Sequence, residues 1–224
     1  GKDLNRSLPN ASTSTVYDAV NQALNAGQVL SGGNLILKTL SVGGLVKQVA
    51  PGDDLQAAID AVNREGGGIV QLLAETYSLQ SDITLKSNVS LIGAGKDVTI
   101  LDFNSSAYQI VTPWTNSSAS RTSNIVISNL TIQNSTDAEG ALFLRWVRYF
   151  LVENIKIQTS TIGLYLWALD GLLTNCDFDS NSSHGVNTIG QYSATGATTG
   201  RTRFIGCRFT SNGGDGYTDT TTAS

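Results

Sequence analysis

Asn129-Leu-Thr-Ile132, Asn154-Ile-Lys-Ile157, Asn175-Cys-Asp-Phe178 and Gly206-Cys-Arg-Phe209 are four renderings of one pattern: a small residue, then apolar, polar, apolar. Their first residues are 25, 21 and 31 positions apart. A second register opens at glycines, Gly140, Gly163, Gly185 and Gly216, with steps of 23, 22 and 31. Both registers lengthen across the same interval. A single insertion accounts for this, and Gly190-Gln-Tyr-Ser-Ala-Thr-Gly-Ala-Thr-Thr-Gly200 is its expected place, looping out of the coil. Two strands per period that move together describe a solenoid with coils of about 22 residues. Successive coils pair through backbone hydrogen bonds, and a slip of one residue would turn every side chain to the wrong face. Leu130/Ile132, Ile155/Ile157, Cys176/Phe178 and Cys207/Phe209 are therefore expected to stack inside. An antiparallel sandwich also shows short alternating strands. It does not predict two registers that lengthen at one point.

Upstream of Ile69 the signals change. Val16, Ala19, Val20, Ala23 and Leu24 recur at helical spacing and stop at Gly27, and Gly32 to Val49 alternates as short strands. Asp53 with Gln56 resembles a capping box opening a helix over 53–63, with Leu55, Ala58, Ile59 and Val62 as its apolar stripe and Gly66-Gly67-Gly68 at its end. We divide the chain into an appendage, 1–51, and a solenoid, 52–224. The chain carries no Met and ends at Asp219-Thr-Thr-Thr-Ala-Ser224, just after a strand opens. Open solenoid ends expose unpaired edges, so we expect it to be part of a longer protein.

Charged residues make up 14% of the 224, far below the globular average of about a quarter. Hydroxyls and amides must then serve where most surfaces use ions. The net charge of −4 and the scattered Lys and Arg offer no basic stripe for nucleic acid. No apolar run approaches the roughly 18 residues of a membrane span. Two cysteines do not make a disulfide scaffold, and parallel side chains at one register point favour two thiols over a bridge. The sequons at Asn10, Asn104, Asn116 and Asn134 are expected by chance in a chain so rich in Asn, Ser and Thr.

Leu85-Lys-Ser-Asn-Val-Ser-Leu-Ile-Gly-Ala-Gly-Lys-Asp-Val-Thr-Ile-Leu101 resembles the first-coil signature of pectate-lyase-like β-helix proteins. So does the unit before it, from the helix through Gly66-Gly-Gly-Ile-Val to Thr76-Tyr-Ser-Leu79, although Leu73-Ala74-Glu75 stands where the family has Pro-Ala-Gly. The resemblance covers about residues 52–224. It implies an all-β, right-handed parallel β-helix with a short N-terminal α/β cap. It does not fix an activity, because the superfamily includes lyases, galacturonan hydrolases, alginate epimerases and phage tailspikes. Of the hydrolase motifs only Ser183-His184-Gly185 has a counterpart, and the Tyr-Gly-x-Asp-Pro-His stretch of the epimerases has none. Asn181-Ser-Ser-His184-Gly185-Val-Asn187 is similar to a coil that recurs in those epimerases.

Four residues are candidates for catalysis. His184, the only histidine, has the one side chain that titrates near neutrality unperturbed; the plainer reading is a turn residue before a glycine. Lys156, Asp177 and Arg208 fall on one outward ladder and are expected to alternate in charge about 4.8 Å apart, with Asp177 on an exposed wall between the two cations. This ladder could hold an acidic sugar, Arg208 could act as a lyase base, or the alternation could merely avoid repulsion. Asp177 and Asp179 share a face at a separation suited to an inverting carboxylate pair. Asp215 and Asp219 could join them around calcium, but no metal and no cofactor is expected. For substrate binding we single out Lys156, Tyr165, Trp167 and Asn187. The aromatic stretch Phe143, Trp146, Tyr149, Phe150, Tyr165, Trp167 suits a sugar ring and a subunit interface equally. The expected function is recognition of a polysaccharide by a β-helix, as in a phage tailspike or an extracellular surface protein. The alternatives are a lyase, hydrolase or epimerase acting on acidic glycans, and a structural spacer in a homotrimer. All three place the chain outside the cell or on a virion.

Overall fold

The computed structural model describes residues 44–114, 121–167, 170–188 and 201–219, which belong to one compact unit, 43–224. The helix expected at 16–24, the strands before Leu45 and the insertion at 190–200 lie outside the described residues. Every strand pair is parallel. The strands are β1 (Leu45–Val49), β2 (Gly68–Leu72), β3 (Thr76–Ser78), β4 (Ile83–Thr84), β5 (Val89–Ile92), β6 (Ile100–Ser106), β7 (Ile110–Val111), β8 (Ser123–Ser135) and β9 (Leu142–Arg145). They continue with β10 (Arg148–Gln158), β11 (Leu164–Trp167), β12 (Asp170–Thr174), β13 (Asp177–Asp179), β14 (Val186–Thr188), β15 (Arg201–Ile205), β16 (Arg208–Thr210) and β17 (Tyr217–Asp219).

Coil upon coil, these form three walls. The first wall runs β1-β2-β5-β8-β10-β12-β15, the second β3-β6-β8-β10-β13-β16, and the third β4-β7-β9-β11-β14-β17. β8 and β10 belong to two walls because each bends midway, at Asn129 (φ 57°) and Asn154 (φ 50°). Asn175 (φ 55°) and Gly206 (φ 64°) make the same bend in the next two coils. That is the physical content of the small residue opening each repeat. Asparagine and glycine tolerate the left-handed region better than other residues, and the Asn154 amide donates to Asn129 Oδ1 at 2.8 Å, tying bend to bend.

The expected register holds. Ile132 pairs with Ile157, Ile157 with Phe178 and Phe178 with Phe209, and the first three are fully buried. On the third wall Leu142, Leu164 and Val186 stack inward and Phe143, Tyr165 and Asn187 stack outward. Tyr149 (φ 56°) is the extra residue of a bulge where β10 meets β12, which explains its exposure. Cys176 and Cys207 are free thiols, as expected, although only Cys176 is fully buried.

The helix α1, Leu55–Arg64, packs Leu55, Ala58, Ile59 and Val62 against β1 and β2. Its cap differs from the expected one. Asp54, not Asp53, accepts from the Ala57 N–H at 2.9 Å, while Asp53 accepts from Ala50. Gln56 does not close a capping box either. Its amide clamps Thr84, donating to the carbonyl at 3.2 Å and accepting from the N–H at 2.7 Å. Asp54→Ala is expected to cost about 1 kcal/mol and Asp53→Ala clearly less, read from urea midpoints. At the departure Leu73-Ala74-Glu75, the Tyr77 hydroxyl accepts from the Leu73 N–H and donates to the Val49 carbonyl, both at 2.7 Å. The turn is pinned to the neighbouring coil by a buried phenol.

Candidate functional site

The second wall carries two outward ladders. One reads Ile100, Thr131, Lys156, Asp177, Arg208; the other reads Asp102, Gln133, Gln158, Asp179, Thr210. The second is linked by side-chain hydrogen bonds: the Gln133 amide donates to Asp102 at 2.9 Å, the Gln158 amide to Gln133 at 2.8 Å, and the Thr210 hydroxyl to Asp179 at 2.7 Å. Between the ladders lies a groove of about 470 Å³ lined by Lys96, Asp97, Lys156, Asp177, Asp179, Arg208 and Thr210.

Asp177 forms the floor of this groove and corrects the expected ladder. It is 6% exposed rather than a solvent-facing wall residue. Arg208 Nε donates to Oδ1 at 2.7 Å, but the second cation is Lys96, whose Nζ meets Oδ2 at 2.5 Å. Lys156 ion-pairs with none of the described residues. Lys96 stands in the turn between β5 and β6, where the Thr131 hydroxyl donates to its carbonyl. It was missed because it lies outside the repeating ladder. The overhang was signalled only by the Gly93-Ala-Gly-Lys96 turn preceding the strand that aligns with Thr131. The Arg208 hydrogen bond, reinforced by Lys96, holds the Asp177 carboxyl below its ordinary range against the opposing pull of burial. A carboxylate held this way is a poor proton carrier near neutrality.

The remaining candidates lie elsewhere. His184 sits half-buried in the turn between β13 and β14, and it does not line the groove. Its Nδ1 accepts from the Asp215 N–H at 3.1 Å, with the Thr218 hydroxyl at 3.4 Å. Tyr165 and Asn187 are neighbours on the third wall, and Trp167 follows at the end of β11. Burial, with the Glu139 charge adding to it, raises the Tyr165 phenol above its ordinary value, so it stays protonated. Asp177, Asp179, Arg208 and Lys156 are thus brought together; His184, Tyr165, Trp167 and Asn187 are not brought to them. Among the described residues no cluster of His, Cys, Asp or Glu could hold a metal, and no helix is long and apolar enough to cross a membrane.

No family model matches the chain. Over 105 residues it is 35% identical to mannuronan C5-epimerase AlgE1 of Azotobacter vinelandii, a match covering 43% of this chain and 8% of that protein. Over 91 residues it is 38% identical to AlgE2 of the same organism, covering 37% and 9%. The chain therefore spans under a tenth of these relatives. Among solved structures, the catalytic domain of Agl-KA superposes with a TM-score of 0.59 at 18% identity, over 76% of this chain and 32% of that one. The tailspike protein gp49 of Acinetobacter baumannii bacteriophage Fri1, a capsular polysaccharide depolymerase, superposes at 0.54 and 16% identity, over 74% and 33%. The fold is a right-handed parallel β-helix. In this β-helix the groove lies on the outer face of the second wall, where neighbouring coils supply side chains at fixed spacing.

Proposed function

We propose that this β-helix binds an acidic polysaccharide along its second wall. The observation that carries the reading is the division of labour in the groove. Lys96 and Arg208 are committed to Asp177, whereas Lys156 has no described partner and is available to a ligand carboxylate. Asp97, Asp179 and Thr210 offer acceptors to sugar hydroxyls around it. Spacing by coil suits a repeating polymer better than a compact small molecule. The likeness to mannuronan C5-epimerases supports a uronate polymer as the ligand. The same likeness favours a second reading, epimerisation or β-elimination of such a polymer. Against it stands the groove's chemistry, with Asp177 locked by two cations and the imidazole outside. Such a function belongs outside the cell or on a virion.

Calorimetry with alginate, pectin and neutral dextran tests this. Alginate or pectin is expected to bind where dextran does not. Lys156→Ala is expected to weaken binding about tenfold, as loss of a charge-assisted hydrogen bond should. No unsaturated product and no change in uronate configuration is expected. Equal binding of acidic and neutral polymers, or an unaffected Lys156→Ala variant, rejects the groove. Turnover abolished by Asp177→Ala or His184→Ala makes the enzyme reading primary.

A further inference from the structure

The commitment of Arg208 to Asp177 is partial. Arg208 meets the carboxylate through Nε alone, at 2.7 Å, and its two terminal amino groups bond to none of the described residues. The side chain is 72% exposed, unlike that of Lys96, the other cation on Asp177. A guanidinium is a rigid planar fork of five N–H donors. A partner taken at Nε leaves the Nη edge open to a second carboxylate, which it can hold with two parallel hydrogen bonds.

Position adds a second constraint. Lys156, Asp177 and Arg208 pair in register on three successive coils. Lys156 and Arg208 therefore stand two coil steps apart, about 9.6 Å at the usual strand spacing. Between them lies a carboxylate. The groove lining as a whole is balanced, with Lys96, Lys156 and Arg208 set against Asp97, Asp177 and Asp179. Such a lining does not gather polyanions by net charge. It accepts negative charge at Lys156 and at Arg208 and repels it on the coil between them.

An extended chain of 1,4-linked uronates matches this alternation. Each pyranose advances the chain by about one coil spacing, and successive carboxylates point to opposite sides. Next-but-one sugars thus present their carboxylates on one side, two coil steps apart, while the middle one turns away from Asp177. We infer that the groove reads carboxylates on next-but-one sugars of such a chain, one at Lys156 and one at the Nη edge of Arg208. The inference rests on the reading of the groove as an acidic-polysaccharide site, and it adds the shortest ligand that fills it, a run of three uronates.

Calorimetry of the 224-residue chain with mannuronate dimer, trimer, tetramer and hexamer tests this. The dimer reaches only one of the two cations. From the trimer on, the second contact is made within one bound molecule, so affinity is expected to rise at least about tenfold from dimer to trimer and far less beyond it. Arg208→Gln and Lys156→Ala are each expected to erase the step, leaving the trimer to bind as the dimer does. Arg208→Gln also bares the Asp177 charge, so the double variant Asp177→Asn/Arg208→Gln is measured beside it, and there too the step is expected to stay lost. A step that returns in the double variant assigns the effect to Asp177 and overturns the inference. So does a wild-type affinity that climbs evenly with length, a step that survives Arg208→Gln, or binding of alginate without binding of the hexamer. In each of those cases, binding that Lys156→Ala weakens leaves the groove itself standing. Absence of binding by every oligomer and by alginate rejects the groove, and this reading with it.

Discussion

Phe178→Ala is expected to lower stability by about 3–5 kcal/mol, among the larger effects a core truncation produces, and to drop the melting temperature by roughly 6–20 °C for a chain of this size. Phe178 is fully buried, pairs with Ile157 on one side and lies on the Phe209 ring on the other, centroids 5.3 Å apart and 12° from parallel. Its ring also faces the third wall, where a β-carbon on Gly163 would come within 3.1 Å of it. The void left by alanine cannot close easily, because the coils are held at a fixed spacing by backbone hydrogen bonds on each wall. In a solenoid, stability is a sum of coil and coil-to-coil terms, so one lost ring weakens two interfaces at once. Phe209→Ala, at a half-buried position in the next coil, is expected to cost markedly less. Thermal and urea unfolding of the two variants side by side check this. Equal effects would mean that the stack is not the continuous core described above.

That contrast also marks how far the sequence could be read. A ladder is a statement about register, and register is legible because the period-2 alternation of each strand must keep one face inside. The stack Ile132, Ile157, Phe178, Phe209 and the outward series Thr131, Lys156, Asp177, Arg208 follow from spacing alone. The helix stripe was legible for the same reason. Its cap was not, because Asp53 and Asp54 are adjacent and both chemically competent, and only the path of the incoming chain decides which one faces the Ala57 N–H. The groove fails on different grounds. Lys96 reaches Asp177 from 81 positions earlier in the chain, and no local period connects a turn to the ladder it overhangs. His184 illustrates the converse. As the only histidine it attracted a catalytic reading, yet the fold stacks it on Asp215 as one turn residue on another, and the Asp215 N–H occupies its Nδ1.

Asp177→Ala is expected to cost about 1–3 kcal/mol at neutral pH, more than the fraction of a kcal/mol typical of an exposed ion pair and less than the loss from a fully buried one. Burial decides the lower bound, since the Asp177 side chain is only 9% exposed. Its partners decide the upper bound, since Lys96 is 23% and Arg208 72% exposed, and water can rescue either once the carboxylate is gone. The pH dependence follows from the sign of the shift. Arg208 first, then Lys96, hold the folded-state carboxyl below its unfolded value, so the folded state prefers the ionised form. This contribution is fully present above the unfolded carboxyl's pKa of about 3.9 and is lost as pH falls through the folded value. Wild type and Asp177→Ala should therefore differ most near pH 7 and converge in strong acid. Urea midpoints at several pH values between these limits give the difference directly. A gap that persists unchanged into strong acid would mean that packing, and not charge, holds this residue. Asp177→Asn separates the two further, because it keeps the volume and a hydrogen-bond acceptor but removes the charge. If the groove binds glycan as proposed, Asp177→Asn also frees Lys96 and Arg208, and acidic polymer should then bind at least as tightly as to wild type. A loss of binding in that variant would give the carboxylate itself a part in recognition.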